Sequence, residues 1–305
     1  MHRNIKAHLA LGAVNLLYGA NYVIAKEVTP AYIKPFGFII LRVSVAMCLF
    51  WAVHKALSQK SDAVFLRKKI EKKDWALLAM CGLFGVAINQ LMFFKGLSMT
   101  SPINASLIMI TTPIIVIVIA AILIKERITW HKLLGIAIGL FGASAIIMGN
   151  NGNGANGSFW GDVFVAINAS SYALYLVLVK PMMQRYHAIT IIKWVFFFGF
   201  FIVVPFGWSE FQQIEWHTFD ATIWLSVLYV LIGATFFTYL LNVYALQTLN
   251  ASVVSTYIYT QPVIATTIAI ALGKDSLSLE KVLAAMAIFV GVFLVSRNFE
   301  KKVVF

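Results

Sequence analysis

The sequence predicts an all-α integral membrane protein, with ten transmembrane helices forming two inverted five-helix repeats. Three observations predict this class. First, the 305 residues are 61% hydrophobic and 12% charged, with a mean hydropathy of +0.85. A soluble domain carries about 25% charged residues, so this chain has too little polar surface to face water all round. Second, the latter half repeats the former. At an offset of 149, Leu97–Gly142 lies on Leu246–Gly291 without a gap. Pro113 then falls on Pro262, Lys125 on Lys274, Glu126 on Asp275, Lys132 on Lys281 and Gly142 on Gly291. At an offset of 154, Tyr18 and Lys26 fall on Tyr172 and Lys180. Third, the basic residues collect in alternate gaps between the apolar runs.

A bilayer core takes about 20 apolar residues per helix. The runs at 8–25, 35–55, 75–97, 102–124 and 131–149 make the first repeat, residues 8–149. Those at 160–180, 188–208, 221–246, 250–272 and 280–297 make the second, residues 159–297. The segment 150–158, NNGNGANGS, is an uncharged flexible linker. None of the runs alternates with period two, as a lipid-facing strand would. The first run follows Arg3 and Lys6 but is closed by no small-x-small cleavage site, so it reads as a retained helix. Cys48 and Cys81 each sit inside an apolar run and read as small packing residues.

With the N-terminus in the cytoplasm, that side collects Arg3, Lys6, Lys55, Lys60, Arg67, Lys68, Lys69, Lys72 and Lys73. It also collects Lys125, Arg127, Lys132, Lys180, Arg185, Arg297, Lys301 and Lys302. The other side receives Lys26, Lys34, Lys274 and Lys281. The asymmetry puts both termini in the cytoplasm of a multi-pass protein of the cytoplasmic membrane. Five spans per half is an odd number, so the second half enters the membrane in the opposite sense. An inverted repeat of this kind supports alternating access. The net charge of +12 does not point to nucleic acid, because the basic residues lie in short gaps without aromatic interleaving.

Several stretches resemble a known repeat. PIIVIVIAAILIKERITWHKLLGIAIGLFGASAII and PVIATTIAIALGKDSLSLEKVLAAMAIFVGVFLV are similar to the C-terminal part of an EamA repeat. FFKGLSMTSPINASLI, NVYALQTLNASVVS and the opening NLLYGANYVIAKEV match its earlier parts. The chain thus resembles the EamA group of the drug/metabolite transporter superfamily over residues 8–297. That resemblance implies secondary transport through a central cavity lined by the first four helices of each half, with the fifth and tenth helices outside. The family's acidic residue closing the fourth helix stands here as Glu126, and as Asp275 in the second copy. Both read as structural salt-bridging turns, because an acid at a helix C-terminus opposes the macrodipole and needs a local partner.

Polar stripes mark the cavity candidates. Asn15, Tyr18 and Tyr22 share one face of the first span; Asn168, Ser171, Tyr172 and Tyr175 share one face of the sixth. Amides and phenols do not point at lipid without a partner. Gln90, Tyr239, Asn242 and Thr256 add polar groups from other spans. Arg42 lies seven residues into its span, about 10 Å deep at 1.5 Å per residue, and is the strongest candidate for a functional charge. Lys95 and Lys193 lie nearer span ends and read as snorkelling. Pro113 and Pro262, at equivalent positions, are expected to kink their helices. Gly135, Gly139 and Gly142 begin with a G-x-x-x-G and imply close helix packing, either within the chain or across a homodimer.

These readings converge on a secondary transporter whose partners are the lipid bilayer and a small organic metabolite such as an amino acid. The intramembrane cations favour an anionic group on it. Export is preferred over import. The chain has no P-loop and no cofactor or metal motif. A membrane-embedded enzyme would need clustered His, Asp or Glu inside the membrane, and a sensory protein would need a domain to carry its signal.

Overall fold

A computed structural model describes residues 2–59, 68–124, 130–149, 158–246, 249 and 257–296, and among them every element is helical. In chain order the helices are α1 (His2–Val28), α2 (Pro35–Ser58), α3 (Lys72–Met99), α4 (Pro102–Met109), α5 (Thr112–Ile124) and α6 (Trp130–Gly149). There follow α7 (Phe159–Arg185), α8 (Ala188–Gln212), α9 (221–246), α10 (Gln261–Ala271) and α11 (Leu279–Ser296). Seven stretches of described residues are long and apolar enough to cross a bilayer: α1, α2, α3, α4 with the start of α5, α7, α8 and α9. Large apolar side chains such as Leu9, Phe141, Leu225 and Leu279 stand exposed around the bundle, as a lipid-facing surface requires. The linker 150–158, apart from Ser158, lies outside the described residues, as do Glu126 and Thr256.

The helix starts follow local chemistry. Pro35 and Pro102 open α2 and α4, where a missing N–H costs nothing. Ser101 and Asp220 cap α4 and α9 by accepting from the Asn104 and Ile223 N–H groups, at 3.2 and 2.8 Å.

The expected single helix over 102–124 is two. It breaks at Ile110–Thr111, and Pro113 is the second residue of the new helix. Pro262 is likewise the second residue of α10, after the 3₁₀ turn Tyr257–Thr260. Both prolines therefore start a helix and do not kink one. A proline in the first turn lacks only an N–H that has no helical acceptor. The break is stabilised identically in both copies: Thr111 and Thr260 donate their hydroxyls to the carbonyls of Ile108 and Tyr257, each at 2.7 Å.

Two helices carry a π-helical stretch, Leu83–Ile88 in α3 and Tyr229–Phe237 in α9. At the offset of 149 the first falls within the second. A π turn widens the helix and turns carbonyls toward other donors, and such turns gather at functional sites.

Equivalent helices of the two copies pack antiparallel. In α2 and α8, Glu210 accepts from the Phe36 and Gly37 N–H groups at 2.7 and 3.0 Å, while Phe50 meets Phe196 at the far end, 5.1 Å between ring centres. In α6 and α11, a Cβ on Gly142 would sit 2.8 Å from the Ala284 carbonyl, and one on Gly291 would sit 2.6 Å from the Gly135 carbonyl. The small-residue face of α6 is thus spent inside the chain, on α11. Helix α3 packs on α7, and α1 on α9, where Tyr229 donates to the Leu17 carbonyl at 2.7 Å.

Candidate functional site

Helices α1, α2, α3, α4, α7, α9 and α10 surround a cavity with about 900 Å³ of empty space, its open mouth included. Among the described residues none of α6 or α11 lines it. Of the sequence candidates, Asn15, Tyr18, Tyr22, Arg42, Gln90, Asn168, Tyr172, Tyr239 and Asn242 line this one space. Tyr175 does not. It is buried behind Tyr172, with ring centres 6.1 Å apart, and its ring fills the space a Cβ on Gly85 would take.

Sequence reasoning left out the apolar lining, Val14, Phe93, Met109, Leu176 and Ile258, because those residues look like any others in an apolar helix. It also left out Gln261 as a lining residue. An amide just before Pro262, inside a run of bilayer length, was the available signal.

Among the described lining residues Arg42 is the charged one. It is 5% exposed and belongs to the first half, but its hydrogen bonds go to the second. Its Nε donates to the Thr235 hydroxyl, and its Nη2 to the Ala234 carbonyl at 2.9 Å, both in the π-helical stretch of α9. Its guanidinium lies 5.0 Å from the centre of the Phe94 ring. Among the described residues no carboxylate contacts it. Placing an arginine at the centre of a span costs about 3 kcal/mol on insertion scales. Two hydrogen bonds from a charged donor contribute about 1.5–3 kcal/mol each. They suffice to hold Arg42 without a counter-ion, so its charge stays unneutralised. Of its five N–H bonds, two are used and three remain without a described acceptor.

A run of hydrogen bonds joins α1 to α10 along one wall. Tyr22 donates to Gln261 Oε1 at 3.2 Å, Gln261 Nε2 donates to Asn15 Oδ1 at 2.7 Å, and Asn15 Nδ2 donates to the Leu11 carbonyl at 2.8 Å. On the facing wall, Asn168 Nδ2 donates to the Asn89 carbonyl at 2.6 Å, and Tyr239 donates to the Gly85 carbonyl at 3.3 Å.

Charged groups away from the cavity tie the halves together at both ends. Where α4 begins, Asp275 accepts from the Ile103 N–H at 3.2 Å and pairs with Lys281 at 3.0 Å. Its ionic partner is thus Lys281, six residues on. The adjacent Lys274 pairs instead with Glu27 at 3.1 Å. At the other end, Arg185 holds both oxygens of Asp74, at 2.8 and 2.9 Å, and Tyr186 donates to the same carboxylate at 2.7 Å. Burial, with Asp74 beside it, pushes the Tyr186 phenol above its usual range. Lys193 does not snorkel: it is 8% exposed, lies 4.8 Å from the Trp51 ring centre, and its Nζ is 3.2 Å from the His54 ring nitrogens. Among the described residues no three His, Cys, Asp or Glu side chains gather to hold a metal ion.

Comparison with known proteins supplies a family. The profile of the EamA-like transporter family matches twice, over residues 5–148 and 159–297. An uncharacterized transporter of Archaeoglobus fulgidus is 26% identical over 267 residues, covering 88% of this chain and 90% of its own. The Bacillus subtilis uncharacterized transporter YetK is 23% identical over 76% of this chain and 69% of its own. A probable terminal-alkyne amino-acid exporter of Streptantibioticus cattleyicolor is 25% identical over 133 residues, 44% of each chain. One crystal structure superposes with a TM-score of 0.63 at 18% identity, covering 95% of this chain and 96% of the other, a likeness of fold. The two profile matches take in nearly the whole of a multi-pass helical chain built around a cavity: the protein belongs to the EamA-like transporter family.

Proposed function

We propose that the chain is a secondary transporter of the cytoplasmic membrane that exports a small organic metabolite, an amino acid or a related compound, by alternating access. The observation that carries this reading is the cavity itself. Both halves line it, and it holds one buried arginine with unused donors beside phenols, amides and apolar side chains. Arg42 suits a carboxylate, for which a guanidinium fork is the matching donor. Export of an amino acid is in keeping with the name of the Streptantibioticus cattleyicolor relative.

In this proposal residues 8–149 and 159–297 form inverted repeats of five spans, with both termini in the cytoplasm and the 150–158 linker outside. The antiparallel packing of α2 on α8 and of α6 on α11 supports it, as do the matched helix breaks before Pro113 and Pro262. Two similar units in opposite senses can exchange conformations, so a site between them opens first to one side and then to the other. The ties at both ends, Asp74–Arg185 and Asp275–Ile103, would then be made and released in turn.

Metabolite profiles of cells lacking and overproducing the protein test the function. Export predicts that one amino-acid-like compound rises in the medium on overproduction and is retained in the cells on deletion. The opposite pattern would establish import, and unchanged profiles in both strains would refute the transport of such a metabolite.

A further inference from the structure

The two walls of the cavity use their polar groups differently. On the α1–α10 side, Asn15 and Gln261 are tied into the hydrogen-bond chain described above, and Asn21 keeps a single buried Oδ1 without a described partner. On the α3–α7 side the amides are bonded through nitrogen only. Asn168 donates its Nδ2 to the Asn89 carbonyl, which fixes the orientation of the amide and leaves Oδ1 buried with no donor among the described residues. Gln90 is 2% exposed; its Nε2 is turned to the Tyr239 phenol, and its Oε1 has no described partner. A buried polar atom left unmet costs about 1–3 kcal/mol, so amides of this kind on a cavity wall mark where a ligand's own polar groups belong.

The acceptors line the same cavity as the charge. Arg42 sits against the ring of Phe94, which is one turn along α3 from Gln90. Side chains four residues apart on a helix are about 5–6 Å apart at Cβ. Asn168 reaches α3 at Asn89, beside Gln90. An α-amino acid carries its carboxylate and ammonium on a single carbon, so two poles on the walls of one cavity suit it.

Resting on the amino-acid reading above, we infer that the cavity holds its substrate as a zwitterion, the carboxylate on Arg42 and the ammonium on the amide oxygens of Gln90 and Asn168. Neutral oxygens suit this role better than an acid would. Among the described lining residues Arg42 is the charged one, so a bare amine is repelled. A bare carboxylate satisfies Arg42 but leaves the amide oxygens without donors. A site built to bond a polar group discriminates strongly against analogues that lack it. Val14, Phe93, Met109 and Leu176 leave an apolar remainder for the side chain.

The test uses the full chain in proteoliposomes, with counterflow of labelled leucine, methionine and phenylalanine. Leucine competes against isocaproate, which lacks the ammonium, and isoamylamine, which lacks the carboxylate. Leucine should win over isocaproate by about tenfold or more and over isoamylamine by a wider margin. Gln90→Leu should bring leucine and isocaproate within a few-fold of each other. Gln90→Glu should admit isoamylamine, a gain that a merely structural glutamine would not produce. Isocaproate competing as well as leucine in the unaltered chain would overturn the ammonium site while leaving the carboxylate on Arg42 intact. So would a Gln90→Leu chain that keeps the preference. If Gln90→Leu does not fold, the ranking in the unaltered chain decides alone. Absence of counterflow with all three labels would overturn the amino-acid reading itself, and this inference with it.

Discussion

The third helices of the two halves, α3 and α9, share a frame and differ in what is plugged into it. Each has a π-helical stretch, and at the offset of 149 Gly85 falls on Ala234. Both carbonyls accept a hydrogen bond from a cavity side chain. Gly85 takes a neutral phenol, Tyr239, at 3.3 Å; Ala234 takes the Arg42 guanidinium at 2.9 Å. The charge is not repeated. Arg42 is seven residues past the start of α2, and seven past the start of α8 stands Val195, fully buried and apolar. Repetition thus supplies the scaffold, and the polarity of the site comes from departures from it. Asn15 and Gln261 close one wall, whereas Thr112, which aligns with Gln261, keeps a buried hydroxyl without a described partner.

Membrane topology decides first whether α3 and α9 are mechanically equivalent. With Cys48 and Cys81 replaced by alanine, single cysteines in the Lys55–Lys73 loop and in the 151–158 linker should label from opposite sides of the membrane. The expected result is all or none at each position, because a loop is either reached by an impermeant reagent or not. Labelling of both from one side would show that the halves are not inverted, and the equivalence of α3 with α9 would lose its mechanical meaning.

The next largest effect should come from the unrepeated charge. Arg42→Gln should reduce transport of a carboxylate substrate in vesicles by about tenfold to a hundredfold at matched protein level, the worth of one charged hydrogen bond. Arg42→Lys should fall between, since one ammonium cannot both hold Ala234 and grip a carboxylate as a fork does. Normal transport by Arg42→Gln would make the guanidinium a brace between α2 and α9 and nothing more. If Arg42→Gln instead fails to accumulate in the membrane, the brace to Thr235 and Ala234 is what the fold needs from it.

Helix positions were readable in the sequence because apolar runs of bilayer length are hard to mistake. So was most of the polar lining, since tyrosines and asparagines in such runs have few places to go. Facing was harder. Tyr175 shares a helix face with Tyr172, so the two read alike although Tyr175 is buried behind it. The π stretches have no residue signature. The prolines could be read as breaking helices, but whether the chain bends at a proline or restarts there depends on the turn before it. Ties such as Glu210 on the start of α2 join residues 174 apart, and no local pattern announces them.

The smallest effect should fall on the frame itself, where it tests how nearly the two copies are alike. The contacts of Gly142 with Ala284 and of Gly291 with Gly135 exchange under the offset of 149. Perfect repetition would make alanine at either glycine equally costly. The packing says otherwise. A Cβ on Gly291 would meet three backbone atoms at 2.5–2.7 Å, whereas one on Gly142 would meet one backbone oxygen at 2.8 Å and two side-chain atoms at 2.9 and 3.0 Å. Side chains can yield where backbone cannot, so Gly291→Ala should lower the thermal midpoint in detergent more than Gly142→Ala. Overpacking of this kind costs about 1–3 kcal/mol. Gly12→Ala is the control, with nothing within 4 Å of its Cβ. Since alanine favours a helix over glycine, it should leave the midpoint unchanged or raised. Equal losses at 142 and 291 would show that α6 and α11 slide to share the strain, and the two copies would then be closer in mechanics than in geometry.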